Sequence, residues 1–150
     1  MIQFPPPVGV GSNVTEALQR LRSLLDTSFS VLPNVTFLLS TVTHINATRC
    51  ASYPHAPWHP PACPATMELA IRSFNVELPG LVTEYTARGL NLQLHDVNAA
   101  AQWTDGDYWI WGIHFNSTGF EKMASAWREA IRSAIQMPRE EAALNAGQPR

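Results

Sequence analysis

Two short apolar runs, each preceded by a helical pattern, constrain this chain more than any other feature. "VTFLLSTVT", residues 35 to 43, is β-branched and largely apolar. That is the pattern of a strand buried on both faces, and it reads as an interior parallel strand. "LNLQLHDV", residues 90 to 97, alternates leucines with polar residues and reads as a second strand. Between them, Ala70, Ile71, Phe74, Leu78, Leu81, Val82 and Tyr85 recur at the helical period from Met67 onward, with Pro79 as an expected kink and Gly89 as an expected stop. A strand, a helix and a strand in that order form a βαβ unit.

Helical patterns flank this unit on both sides. Asn13, with Glu16 three residues on, has the capping-box spacing, and Ala17, Leu18, Leu21, Leu24, Leu25 and Phe29 follow near the helical period. Thr118 and Glu121 form a second capping box, ahead of an apolar stripe of Phe120, Met123, Ala124, Trp127, Ile131 and Ile135. The proline-rich stretch "CASYPHAPWHPPACP", residues 50 to 64, is expected to be irregular, because each proline fixes φ and removes a donor. Helix, strand, helix, strand, helix belongs to the α/β layered class. Two strands are too few to absorb three amphipathic helices, so the pattern reads as the second part of a larger domain whose N-terminal strands are missing. The chain divides into an irregular segment 1–14, a portion of an α/β domain over 15–136 and a flexible tail over 137–150.

A chain of 150 residues, 45% hydrophobic and 15% charged, can bury a sizeable core without a metal. Its net charge of −2 and scattered basic residues give no nucleic-acid groove. No apolar run is long enough to span a bilayer, and "MIQFPPPVGVGS" has neither the basic nor the apolar region of a signal peptide. Yet Asn13, Asn34, Asn46 and Asn116 all head Asn-x-Ser/Thr sequons, where the eight asparagines would give about one by chance. That excess predicts a secreted or secretory-pathway glycoprotein whose natural N-terminus lies outside this chain.

The segment "GIHFNSTGFEKMASAW" places a histidine before a short Asn/Gly turn and an amphipathic helix. Together with "LPNVTFLLSTVTHIN" and "FNVELPGLVTEYTARGLNLQLHDVN", it resembles the C-terminal part of the SGNH hydrolases, also called GDSL-type esterases and lipases. The similarity covers about residues 15 to 136. It implies a flavodoxin-like three-layer α/β/α sandwich with a parallel sheet. It also implies a serine nucleophile near the N-terminus, an oxyanion hole built by a glycine and an asparagine, and a base histidine in the last motif. Only His114 carries over, as the general base. No Gly-Asp-Ser block occurs, and "GSN" at residues 11 to 13 is followed by Val14 where the family has aspartate, so no role passes to Asn13. The family's acid stands three residues before the histidine, where this chain has Trp111. Losing that acid from a triad can cost about 10⁴ in turnover. Asp105, Asp107 or Asp96 could replace it if the loop folds back, and Asp107 is taken as the acid partner.

Cys50, His55, His59 and Cys63 offer a second constellation, Cys-x4-His-x3-His-x3-Cys. In a secreted protein the two cysteines read as a disulfide closing the proline-rich loop, worth about 3 kcal/mol in loop entropy. The same four side chains are the right ligands for zinc. Pro57, however, prevents the helix that would put both histidines on one face. Trp58, Trp103, Trp109 and Trp111 fall in loops, where they either line an acyl or sugar pocket or seal the sandwich, while Trp127 reads as core. His44 and His95 read as strand-end residues with ordinary hydrogen bonds. Asp96 is better placed for function, at the carboxyl end of its strand.

The leading expectation is thus the C-terminal part of an ester hydrolase acting on a small-molecule ester, either an acyl lipid or an acylated carbohydrate. It would need no cofactor or metal and would be inactive without the missing serine block. Two rivals stand beside it: a non-catalytic binding or structural module derived from the same fold, and a small zinc-stabilised interaction domain.

Overall fold

The computed structural model describes residues 14–51 and 63–146, with side chains described for 14–50 and 67–136. The elements run α1 Val14–Val31, β1 Phe37–Ser40, α2 Ala47–Ala51, α3 Cys63–Ala87, β2 Leu92–His95, α4 Val97–Ala101, a 3-10 turn Asp105–Asp107 and α5 Ser117–Ala146. Among the described residues the fold is mixed α/β and mostly helical, with one two-stranded sheet.

β1 and β2 are parallel, with Phe37 opposite Leu92, Leu38 opposite Gln93, Leu39 opposite Leu94 and Ser40 opposite His95. Side chains alternate across a strand, so Phe37, Leu39, Leu92 and Leu94 share one face. That face packs into a core with Leu18, Leu21, Leu25 and Phe29 of α1 and with Leu78, Leu81 and Tyr85 of α3. The buried positions of α1 are spaced by three and four residues, one stripe of a 3.6-residue period. Leu78 and Tyr85 are fully buried and Leu81 nearly so. Each such side chain contributes roughly 1.5–3 kcal/mol through apolar burial. The Tyr85 hydroxyl is not wasted there: it donates within 3.0 Å of the Arg22 carbonyl and 2.9 Å of the Asp26 carboxylate. The opposite face of the sheet meets α5 through His95, whose ring lies 5.4 Å from that of Trp127. A second, smaller core joins Val97 and Ala101 of α4 to Ala126 of α5, with Trp103 and Met123 packed against it.

Several expectations need correction. β1 spans only residues 37 to 40, is half-buried throughout, and pairs with β2 alone among the described residues, so it is not an interior strand buried on both faces. The stretch 50–64 is not wholly irregular, because Cys50 and Ala51 end α2 while Cys63 and Pro64 begin α3. Proline is tolerated there because first-turn N–H groups have no helical partner. α3 continues through Pro79, and Gly89 at φ +76° follows its end as expected. Val97 leaves the strand pattern to open α4, with the Asp96 carboxylate accepting from the N–H groups of Asn98 and Ala99. α5 is capped by Asn116 rather than Thr118, since the Asn116 carbonyl oxygen accepts from Gly119 N–H at 3.1 Å. On that helix Phe120, Ala124, Ile131 and Ile135 are exposed, whereas Ala126 and Ala134 are buried. α5 also runs on to Ala146, well into the tail expected from 137. Asn13 and the rest of the N-terminal segment 1–13 lie outside the described residues.

Candidate functional site at the carboxyl ends of the strands

Both strands deliver chain to the same end of the sheet, and polar side chains tie the two outgoing segments together. Thr41 donates its hydroxyl to Asp96 at 3.1 Å and accepts from Val97 N–H and the Asn98 amide, each at 3.1 Å. The Asn98 carbonyl oxygen accepts from His44 N–H and from the Trp103 indole, both at 2.9 Å, while its amide donates to the Val42 carbonyl. From α3, Asn75 pairs with both backbone groups of Val42 at 2.8 Å. Further out, Asn46 N–H donates to the Gly112 carbonyl at 2.7 Å, and the Tyr108 hydroxyl donates to the His44 carbonyl at 3.0 Å. An Asn-rich loop sequence is suited to this, because each side-chain amide imitates a peptide group.

His114 stands on this end of the molecule. Tyr108 and Phe115 form an antiparallel bridge, Trp109 N–H donates to the His114 carbonyl at 2.8 Å, and Gly112 at φ +72° turns the chain between them. A Cβ on Gly112 would lie 2.3 Å from the Asn46 carbonyl oxygen, so the close approach of the two loops requires glycine. The imidazole of His114 is exposed and no described side chain bonds it.

Asp107, the expected acid partner, is committed elsewhere. One carboxylate oxygen accepts from Lys122 Nζ at 2.7 Å and from the backbone N–H and hydroxyl of Thr104 at 2.6 and 2.9 Å. Burial alone would raise its pKa, but the Lys122 ammonium and the two Thr104 donors outweigh burial and hold the carboxyl below its usual range. Asp107 therefore supports the loop instead of orienting His114. Asp96 caps α4, and Asp105 accepts from the Asn46 amide at 2.6 Å.

The carboxylate that does face an imidazole belongs to Glu68, which the sequence reading did not single out. Glu68 Oε1 lies 2.8 Å from Nδ1 of His44, off the direction of a well-aligned hydrogen bond. The same oxygen takes Arg72 Nε at 2.6 Å, and Oε2 accepts from Ile45 N–H at 3.0 Å. His44 is thus not the ordinary strand-end residue expected. The available signals were the Glu68/Arg72 pair at helical spacing and a histidine just past an apolar strand. Beside this cluster, burial and then the negative charges of Glu68, Asp107 and Asp105 push the Tyr108 hydroxyl up to about 12.

The tryptophans divide. Trp103 stacks on Phe115 with ring centroids 4.2 Å apart, Trp109 is exposed, and Trp111 is half-buried. The indole N–H of Trp111 is buried without a hydrogen-bond partner among the described residues. Trp127 is half-buried rather than core. Two open hollows, about 450 and about 770 Å³, run along α5, and His114 lines neither. Cys50 is buried in α2, but the side chain of Cys63, with His55, His59 and Trp58, lies outside the described residues. No group of three or more metal-binding side chains occurs among the described residues, and no helix among them is long and apolar enough to cross a membrane. Comparison with protein-family models, with characterised proteins and with solved structures finds no match for this chain.

Proposed function

We propose that this chain is part of a secretory-pathway ester hydrolase of the SGNH, or GDSL, type. It supplies the base histidine, His114, and the serine nucleophile comes from sequence outside these 150 residues. One observation carries the reading: an exposed imidazole, bonded by no described side chain, stands on the segment that leads from the carboxyl end of β2 to α5. Ligands of open α/β sheets bind at that end, and a general base must be reachable by the group it deprotonates.

In this reading the serine hydroxyl gives its proton to His114 as it attacks the ester carbonyl. Backbone and amide donors stabilise the oxyanion, and the same imidazole then activates water for deacylation. The substrate is an acyl lipid or an acylated carbohydrate, and Cys50 pairs with Cys63. Further strands would extend the β1–β2 sheet into a flavodoxin-like sandwich and cover the side of α5 that carries Phe120, Ile131 and Ile135, all now about half exposed.

One observation favours a second reading, a non-catalytic module on the same fold. Asp107 is tied to Lys122 and Trp111 occupies the acid position, so no described acid orients His114. Labelling with a fluorophosphonate that reacts only with activated serines separates the two. A hydrolase gives one adduct on the natural full-length protein, lost in His114→Ala. A natural protein that takes no adduct is the module.

A further inference from the structure

The three sequons among the described residues are not equivalent. Asn46 accepts Arg49 N–H on its side-chain oxygen at 2.9 Å, capping α2, and donates its amide to Asp105 at 2.6 Å. Asn116 caps α5 and donates its amide to the Gly106 carbonyl at 2.6 Å and more weakly to the Tyr108 carbonyl at 3.4 Å. In both, the nitrogen that a glycan would occupy already donates to a protein acceptor. Asn34 differs on every count. It is exposed in the turn between α1 and β1, and no described residue bonds its side chain.

Two further observations single it out. Apolar side chains flank Asn34 in sequence and are exposed: Val31 at 71%, Leu32 at 49% and Val35 at 36%. An oligosaccharide rooted among them would shield apolar surface that a soluble secreted protein otherwise leaves open to association. The turn also lies at the amino end of β1, across the sheet from the loops that carry His44 and His114. Asn46 and Asn116 each sit two residues from one of those histidines. A glycan on Asn34 leaves the carboxyl end of the sheet clear, and one on either of the others obstructs it.

The geometry points to Asn34 as the N-glycosylation site among the three described sequons, with Asn46 and Asn116 kept as unmodified structural caps. In the transfer, Asn34 Nδ2 forms a bond to C1 of a lipid-linked oligosaccharide. The C1–oxygen bond to the lipid diphosphate breaks, the diphosphate departs with its electron pair, and one amide proton passes to a base. The inference rests on the secretory part of the proposed function and not on its chemistry.

The test supplies the targeting itself. The full 150-residue chain is expressed behind a cleavable signal peptide in cultured animal cells, and site occupancy is read by peptide mass spectrometry after enzymatic deglycosylation, in the medium and in the protease-resistant lumenal fraction. The expected result is a glycan on Asn34 in most molecules of both fractions and bare Asn46 and Asn116. Asn34→Gln should remove that glycan mass and lower the secreted yield several-fold, whereas Asn46→Gln and Asn116→Gln should leave the glycan mass unchanged. A bare Asn34 in protease-resistant protein, or a glycan on Asn116 or Asn46 there, overturns the assignment. Reading occupancy on the wild-type chain keeps the result independent of whether any variant folds, and the supplied signal keeps it independent of native localisation.

Discussion

Lys122 of α5 reaches back to the buried carboxylate of Asp107, with Nζ 2.7 Å from Oδ2, and so pins the His114-bearing loop to the first turns of that helix. Asp107 is 1% exposed and Lys122 about one-third exposed, so the pair is sheltered on the acid's side only. Removing the charge leaves Lys122 and two Thr104 donors facing a weaker acceptor. Asp107→Asn should cost about 2 kcal/mol at neutral pH in chemical denaturation.

The same pair sets an acid limb. The folded carboxyl is held below its ordinary value of 3.8, so its contribution is fully present above that value and disappears as pH falls through the folded one. Wild type and Asp107→Asn should therefore differ in stability at neutral pH, and the difference should shrink as pH falls below 3.8 and through the lower folded value. Denaturation midpoints measured across this range check it. A constant difference at all pH values would remove the ion pair from the account.

Two glycines should respond in opposite directions. A Cβ on Gly119 would lie 2.3 Å from the Asp107 carbonyl oxygen and 2.7 Å from the Phe115 ring, so Gly119→Ala must push α5 away from the loop, at a cost of about 1–3 kcal/mol. Gly80, inside α3, has nothing within 4 Å of that position, and Gly80→Ala should stabilise by about 0.5–1 kcal/mol. Thermal melts of the two variants side by side test the packing of α5 against the loop.

Glu68→Ala should destabilise by about 1–3 kcal/mol, because it strands the part-buried His44 ring and Ile45 N–H. Glu68→Gln should recover part of that, since a carboxamide oxygen can still accept from Ile45. Equal losses in the two variants would mean that the cluster acts through charge alone.

What the sequence made legible was periodicity. α1 and α3 follow from their leucine spacing because their apolar faces are buried by one another, and the two strands follow from their composition. Which side of α5 is covered could not be read. Its stripe of Phe120, Ile131 and Ile135 has the right period, but burial is decided by where the sheet and α4 lie, and they select Ala126 and Ala134. Overlapping signals misled at the helix start. "NSTGFE" contains two cap patterns, and Asn116 prevails because its amide also reaches the Gly106 carbonyl. Asp107, seven residues before His114, could serve it only if the loop folded back, and Lys122, fifteen residues on, takes its carboxylate instead. Pairings of that kind are set by tertiary structure and leave no local pattern.

Two parallel strands that pair only with each other among the described residues, and α5 with its exposed Phe120, Ile131 and Ile135, should make the isolated chain associate. Sedimentation at micromolar concentration should show concentration-dependent oligomers and strong binding of an apolar-surface dye. A dye-silent monomer with a sharp cooperative melt would mean that the chain needs no further strands.

The proposed role of His114, as the base of an ester hydrolase whose nucleophile comes from sequence outside these 150 residues, is tested most directly by hydrolysis of a short-chain aryl ester by matched His114 and His114→Ala proteins. The 150-residue chain should hydrolyse the ester no faster than its own His114→Ala variant. The natural full-length protein should lose at least ~10³ in turnover on the same substitution, as a triad does when its base is removed. His114-dependent turnover by the short chain alone, or activity of the full-length protein that ignores the loss of His114, would contradict the account.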